Sequence, residues 1–310
     1  MNSVMIPPGN GPLVGLWMYQ NGGGDGVERK LVSRLQERGA RVITGLNLAQ
    51  SIAGQGEILC QGFPVETLDL FLSYNAGEQT PFQVYLYETL NRSVTCINSW
   101  EAFNLTEDKF LTAHALHRAG VRTTDYRLCH REDIDGLKRT IREWDGKVVY
   151  KPVHGWGGTG IFKIEDERQI DVLMPFIHRL DMPHFYLERF INYDKTDYRI
   201  DIVDGQFVGC YGRKAPDDDW KTNITSGGSV IAREANDAVI EVAIRAAEVV
   251  GADIAGVDLI YDLDAEEYVV LEVNGIPAFA TPEQEAMGID FNDRKVAVLT
   301  DLIACKIGVA

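Results

Sequence analysis

The chain has 310 residues, 45% apolar and 25% charged, enough to bury a large core in two or three packed units. Its 30 Lys and Arg face 46 Asp and Glu, a formal charge of −16, which argues against a non-specific role on nucleic acid or an anionic membrane. Five scattered cysteines (Cys60, Cys96, Cys129, Cys210 and Cys305) with no C-x-x-C pair fit a reduced cytoplasmic protein, not a disulfide framework or zinc site.

No apolar run approaches the roughly 20 residues that span a bilayer, and no basic stretch followed by an apolar core opens the chain, so neither membrane insertion nor secretion is expected. Leu13 to Met18 reads as a buried strand, followed by the glycine-rich turn Gly22 to Gly26 and a helix through Val27 to Gly39. Further strands are predicted at Arg41 to Thr44, Leu68 to Tyr74 and Val94 to Ile97, with a short helix at Gln83 to Leu90. Strands alternating with helices indicate a small parallel α/β layer over residues 1–97. The glycine turn at the carboxyl end of the first strand is either a ligand site or a plain connection.

A middle unit, expected over 98–186, carries a helix that Thr106 is predicted to cap, with acidic residues in its first turn. Phe110, Leu111, His114, Ala115 and Leu116 fall at helical spacing. His114 and His117 lack a third ligand nearby, so the apolar face of the helix accounts for His114 better than a metal does. A strand at Arg127 to Cys129 and a helix at Ile134 to Trp144 follow.

Lys147 to Val153 and Gly160 to Ile164 then read as paired strands around Gly155, Gly157, Gly158 and Gly160. Gly155, Gly157 and Gly160 match G-x-G-x-x-G. A dinucleotide fingerprint, however, must open a helix, and a phosphate-binding P-loop would need a following Gly-Lys-Ser/Thr. A side-chain-poor hairpin with Lys151 just upstream suits a lid whose backbone N–H groups close over phosphates; the competing reading is an ordinary glycine-rich turn.

The last unit, 187–310, follows a strand predicted over Phe185 to Ile191. It opens with a hairpin of Asp197 to Val203 and Gln206 to Arg213 turning at Asp204-Gly205. An amphipathic helix is expected over Asp237 to Val250, and a second hairpin pairs Ala255 to Tyr261 with Tyr268 to Val273. Glu272 and Asn274 alternate onto one face, and Asp258 can sit across from them, giving a hard-oxygen set suited to Mg²⁺. The alternative is a solvated strand face.

Lys109, Lys151 with its glycine hairpin, Leu187 to Ile191, Arg213, Asn223 and the Asp258/Glu272/Asn274 trio occur in the order of ATP-grasp enzymes. The chain most resembles the RimK-like amino-acid ligases, from about Asn98 to the carboxyl terminus and more loosely before it. Ala255-Gly-Val-Asp-Leu together with Leu271-Glu-Val-Asn carries most of the specificity. The resemblance implies an α/β, ATP-grasp α+β fold: a small N-terminal parallel α/β domain and two α+β subdomains that clasp ATP between them.

Residue by residue, it implies that Lys109 and Lys151 meet the ATP phosphates under the glycine lid. Glu188, Arg189 and Ile191 belong to the connecting strand, whose backbone recognises adenine. Arg199 is assigned to phosphate or a substrate carboxylate, and Arg213 to the transferring γ-phosphate. Asn223 belongs to a segment in which Lys221 replaces the family's arginine. Asp258, Glu272 and Asn274 are implied ligands of two Mg²⁺ ions, with Mn²⁺ as a substitute. After Asn274 the chain reads Gly-Ile-Pro-Ala-Phe-Ala-Thr-Pro-Glu, where the ribosomal-modification branch shows Ser-Ser-Pro-Gly. His154 and Trp156 receive no role.

The implied activity is ADP-forming ligation of a carboxylate to an amine through an acylphosphate, with glutamate favoured and a small-molecule or coenzyme acceptor. No nucleic-acid or membrane partner is implied, and homodimers or homotetramers are usual among similar ligases. A small-molecule kinase and a non-catalytic nucleotide-binding protein are the alternatives.

Overall fold

A computed structural model of the chain describes residues 5–75, 80–155, 157–177 and 184–309, without the side chains of 175–177; Trp156 lies outside the described residues. The first strand, β1 (Leu13–Met18), is buried along its whole length, as a strand covered on both faces must be. Helix α1 (Gly24–Glu37) starts three residues before the predicted Val27. A side chain at Gly24 would have its Cβ 2.2 Å from the Tyr19 carbonyl oxygen, so only glycine lets the helix begin this close to the strand. After β2 (Arg41–Ile43) come three short strands absent from the sequence reading, β3 (Ser51–Gly54), β4 (Glu57–Cys60) and β5 (Phe63–Pro64). They form a small antiparallel sheet of their own, too short to show a repeating pattern. Then β6 (Leu70–Tyr74), α2 (Pro81–Leu90) and β7 (Thr95–Ile97) complete a parallel sheet of order β2-β1-β6-β7.

The middle unit corrects one expectation. Thr106 does not cap a helix; it ends α3 (Trp100–Thr106), where its hydroxyl donates back to the Ala102 and Phe103 carbonyls. The next helix, α4 (Lys109–Arg118), is capped by Asp108, which accepts from the Leu111 N–H at 2.8 Å, and its first turn has no acidic residue. Thr112, Ala113 and Leu116 form its buried face. His114 is exposed and bonds the Tyr126 hydroxyl at 2.9 Å.

Strands β8 (Tyr126–His130), β9 (Val148–Lys151), β10 (Phe162–Ile164) and β11 (His184–Arg189) form an antiparallel sheet of order β10-β9-β11-β8. Helices α5 (Ile134–Glu143) and α6 (Arg168–Ile177) supply Leu137, Ile141 and Ile170 to its core. The expected break at 186/187 falls inside β11, whose pairing carries this sheet on to Arg189.

The last unit is an antiparallel sheet of order β14-β13-β12-β15-β16, built from β12 (Thr196–Val203), β13 (Gln206–Lys214), β14 (Ser229–Ile231), β15 (Ile254–Asp262) and β16 (Glu267–Asn274). Asp204 and Gly205, at φ +51° and +67°, make the predicted tight turn between β12 and β13. Helix α7 (Asp237–Val249) covers one face with Val239, Ala243, Ala246 and Ala247. The other face meets α9 (Asn292–Lys306), which follows the short α8 (Pro282–Ala286), along β12 and β13, and Lys109 links its β16 edge to the glycine hairpin. Val296, Leu299 and Ile303 of α9 share one core with β1, β6 and α1, so the N-terminal and C-terminal units are packed together.

Gly209 of β13 lies under Phe291, and a Cβ there would sit 2.2 Å from the ring. Gly209→Ala is expected to lower stability by about 1–3 kcal/mol, read as a reduced urea midpoint, because the aromatic anchor of α9 must shift.

Candidate active site

The open face of the last sheet is organised in rows, because directly opposed residues of an antiparallel pair share a face. Arg199 stands opposite Tyr211 on one side and Asp258 on the other, and Asp258 stands opposite Glu272. Tyr211, Arg199, Asp258 and Glu272 therefore cross four strands in one line. In the adjacent row Arg213 faces Asp197.

These rows are held by charge. Arg199 Nε is 2.6 Å from Asp258 Oδ1, and Arg213 Nη2 is 2.9 Å from Asp258 Oδ2. Arg213 also grips Asp197 from Nε and Nη2, at 3.0 and 2.7 Å to Oδ2. Burial opposes the Arg213 charge, yet Asp258 and Asp197 outweigh it and hold the guanidinium pKa well above its ordinary value. The same opposition, with Asp258 decisive, raises that of Arg199. Both arginines are permanently cationic.

Lys109 opens α4 and points across the cleft. Its Nζ is 2.9 Å from Glu272 Oε1 and donates to the Gly155 carbonyl at 2.5 Å, joining the carboxylate row to the glycine hairpin. Lys151, at the end of β9, pairs with the buried Glu188 of β11 at 2.6 Å. All four glycines of the hairpin have positive φ: Gly155 +117°, Gly157 +70°, Gly158 +76° and Gly160 +76°. The β9–β10 pairing is antiparallel, with Phe162 opposite Tyr150, so the glycines sit at a hairpin tip and open no helix.

After β11 the backbone passes from one sheet to the next. Phe190 N–H donates to Lys147 at 2.8 Å, and Arg189 N–H to Asp125 at 2.8 Å. Alternation at the end of β11 turns the Arg189 carbonyl away from Lys147, and among the described residues the Ile191 N–H has no hydrogen-bond partner. An adjacent acceptor and donor on one edge match the N–H and ring nitrogen of an adenine. The Arg189 side chain is exposed and reaches Asp125 at 3.4 Å, so its backbone, not its guanidinium, faces this edge.

The trio suits a hard divalent cation. Asn274 donates Nδ2–H to the Gly256 carbonyl at 3.1 Å, which leaves Oδ1 as an acceptor, and Glu272 commits only Oε1 to Lys109. Asp258 is the most heavily engaged, with a guanidinium at each oxygen. Among the described residues no group of three or more His, Cys, Asp or Glu side chains is placed to hold a metal; the trio pairs two carboxylates with an amide. His114 and His117 are not part of such a group.

Asn223 lies beneath the hairpin: a Cβ on Gly158 would be 2.7 Å from its Oδ1. Thr222, Thr225, Lys163 and Trp220 were not singled out in the sequence. Thr222 donates to Asp197 Oδ2, and Thr225 donates to the Gly157 carbonyl. Lys163 of β10 places its Nζ 3.6 Å from the Phe190 ring centre and 4.9 Å from that of Trp220. Strand alternation, with Phe162 and Ile164 flanking, puts Lys163 on the same face as Lys151 and is the signal that would have found it.

Residues 106–299 match the RimK-like ATP-grasp domain. The glutamate–LysW ligase ArgX of Sulfolobus acidocaldarius is 26% identical over 188 residues, 60% of this chain and 66% of that protein. The tetrahydromethanopterin:α-L-glutamate ligase of Methanocaldococcus jannaschii is 27% identical over 220 residues, 69% of this chain and 74% of the relative. The chain thus spans about two thirds to three quarters of these relatives. In three dimensions, the ATP-grasp ligase PsnB, complexed with minimal precursor, Mg and ADP, superposes with a TM-score of 0.66 at 19% identity, over 97% of this chain and 99% of its own. The D-alanine–D-alanine ligase of Bacillus anthracis complexed with ATP gives 0.63 at 15% identity, over 94% and 98%. The domain match covers most of the chain and the fold agrees throughout, so the protein belongs to the RimK-like ATP-grasp family.

Proposed function

We propose that the protein is an ATP-dependent, ADP-forming carboxylate–amine ligase that adds an amino acid, glutamate in the first instance, to a small-molecule or coenzyme acceptor. The observation that carries this reading is the convergence of Lys109, Arg199 and Arg213 on the Asp258–Glu272 row beneath a hairpin of positive-φ glycines. Such a site concentrates fixed positive charge where a phosphoryl group can be held and its transfer stabilised.

In this reading adenine takes the Arg189 carbonyl and the Ile191 N–H. Lys109 and Lys151 exchange part of their contact with Glu272 and Glu188 for phosphate oxygens, and the backbone of Gly155, Gly157, Gly158 and Gly160 covers them, with Asn223 below. Arg213 faces the γ-phosphate and Arg199 a phosphate or the substrate carboxylate. Asp258, Glu272 and Asn274 hold two Mg²⁺ ions, replaceable by Mn²⁺, which neutralise phosphate charge when bound. An acceptor carboxylate attacks the γ-phosphorus, ADP leaves, and an amine displaces phosphate from the resulting acylphosphate. Because that intermediate is destroyed by water, a lid has a purpose beyond binding. The relatives named as glutamate ligases support the choice of amino acid. A cytoplasmic location, supported by the net charge of −16 and the scattered cysteines, and a homodimer or homotetramer are part of this reading.

The test supplies Mg-ATP, each amino acid and a deproteinised extract of the source cells, and follows ADP, phosphate and new masses. The expected result is an acceptor heavier by one amino-acid residue, with ADP and phosphate released in step. Glu272→Ala is expected to lower this turnover by at least about 100-fold, since it removes a metal ligand and strands Lys109. A product gaining a phosphoryl group, with no free phosphate, would replace the ligase reading by a kinase.

A further inference from the structure

The segment between β13 and β14 touches both the aspartate that holds the arginine proposed for phosphoryl transfer and the glycine hairpin, at separate points. At its root, Thr222 is buried and donates to Asp197 Oδ2, the oxygen that also accepts from Arg213 Nη2. Asp197 is wholly buried and further accepts the Arg213 backbone N–H at 3.0 Å, so it fixes both the strand position and the side chain of Arg213. One residue on, Asn223 lies against Gly158; two further, the exposed Thr225 donates to the Gly157 carbonyl. Before Thr222, Trp220 meets Lys163 of the hairpin's second strand, and the Trp220 carbonyl accepts from the Tyr193 hydroxyl. Trp220 and Phe190 pack edge to face at 5.6 Å.

The segment is short and its turns are filled. Gly228 N–H and Ser226 N–H both return to the Asn223 carbonyl at 3.0 Å, and a Cβ on Gly228 would lie 2.2 Å from the Thr222 carbonyl oxygen. These contacts leave little slack in the backbone between Thr225 and Thr222. Burial lowers the Lys163 pKa, with Glu165 and Asp219 opposing, in keeping with an ammonium covered by the two rings.

We propose that residues 216–228 act as a strap that makes closure of the glycine hairpin and placement of Arg213 a single event, with Asp197 and Thr222 as positioning residues and Thr225 as the latch. This rests on the ligase reading for its consequence: Arg213 is presented only when the lid has excluded water. The coupling itself is independent of that reading, since its contacts join parts of the chain with no nucleotide involved.

The experiment is hydrogen–deuterium exchange on the full-length, nucleotide-free protein, with peptides covering 157–164, 196–213 and, as a folding control, 13–37. Thr225→Val deletes the latch and is expected to speed exchange over 157–164 about fivefold, the worth of one net hydrogen bond; Thr225→Ser restores it. Thr222→Val, which deletes a hydrogen bond to Asp197 and none to the hairpin, is expected to speed exchange over both 196–213 and 157–164. A Thr222→Val effect confined to 196–213 would show a merely structural contact and overturn the coupling. Unchanged hairpin exchange in Thr225→Val would remove the latch. A second readout uses turnover: Thr222→Val is expected to lower kcat about tenfold with the KM for ATP changed less than twofold. If the protein proves not to be a ligase, the exchange result still decides the strap.

Discussion

Arg213→Met is expected to reduce the rate of ADP formation by about 10³-fold while nucleotide binding changes little, because an arginine facing a transferring phosphoryl group acts mainly in the transition state. The structure makes this a demanding experiment. Asp197 is wholly buried and would lose its bonds to the guanidinium, and a buried charge left without its partner costs about 3–5 kcal/mol. A drop in activity could then be ordinary unfolding. Arg213→Met/Asp197→Asn separates the two, since the amide is neutral: its Oδ1 can still accept from the Arg213-position N–H, and its Nδ2 can donate to the Thr222 hydroxyl, which reverses the direction of that bond. The double variant is expected to recover most of the denaturant midpoint while its rate stays at least about 100-fold below the wild type. A double variant within tenfold of wild-type turnover would remove Arg213 from the chemistry. Lysine is a poor substitute, because one ammonium cannot span Asp197 and Asp258 as the planar fork does.

The sequence made the strands of this site readable and left its ion pairs hidden. β1 is recovered to the residue, and the β12–β13 and β15–β16 hairpins are recovered within a residue or two, because alternation and turn chemistry (Asp204-Gly205) are local signals. Thr106 misled for a local reason as well: a threonine before acidic residues resembles a cap, and only the preceding Trp100–Thr106 helix shows that the cap is Asp108. The site residues were legible as an ordered set of types, and the structure brings Lys109, Arg199, Arg213, Asp258 and Glu272 together. What sequence order could not give is pairing. That Lys151 rests on Glu188, that Asp197 holds Arg213, and that Thr222 and Thr225 reach opposite neighbours depend on registers between strands far apart in the chain. The β3–β5 sheet and helices α8 and α9 escaped for different causes. The first is made of very short strands, and α9 mixes polar residues into a helix whose buried side includes a lysine.

That lysine gives the largest stability effect we expect. Lys295 is fully buried, and its Nζ donates to Asp201 Oδ2 at 2.6 Å and to the Pro277 and Ala278 carbonyls at 3.0 and 3.2 Å. All three ammonium protons are used, and the Phe279 ring centre lies 4.4 Å away. The carbonyls belong to the segment that follows Asn274, and Tyr74 of the N-terminal sheet donates to the same Pro277 carbonyl at 2.5 Å. Lys295 thus fixes the exit from the proposed metal site against both terminal units. Lys295→Met should cost about 3–5 kcal/mol, because Asp201 is left as an unpaired buried charge, whereas Lys295→Met/Asp201→Asn should recover at least half of the loss. Titration supplies a second check. Burial lowers the Lys295 pKa and Asp201 only partly restores it, so between that lowered value and the ordinary lysine value the unfolded chain binds more protons than the folded one. Stability therefore gains from this residue as pH rises through that window, and the gain should vanish in Lys295→Met. Equal slopes of stability against pH in the two proteins, or a midpoint unmoved by Lys295→Met, would mean that the segment after Asn274 is held by its apolar contacts alone.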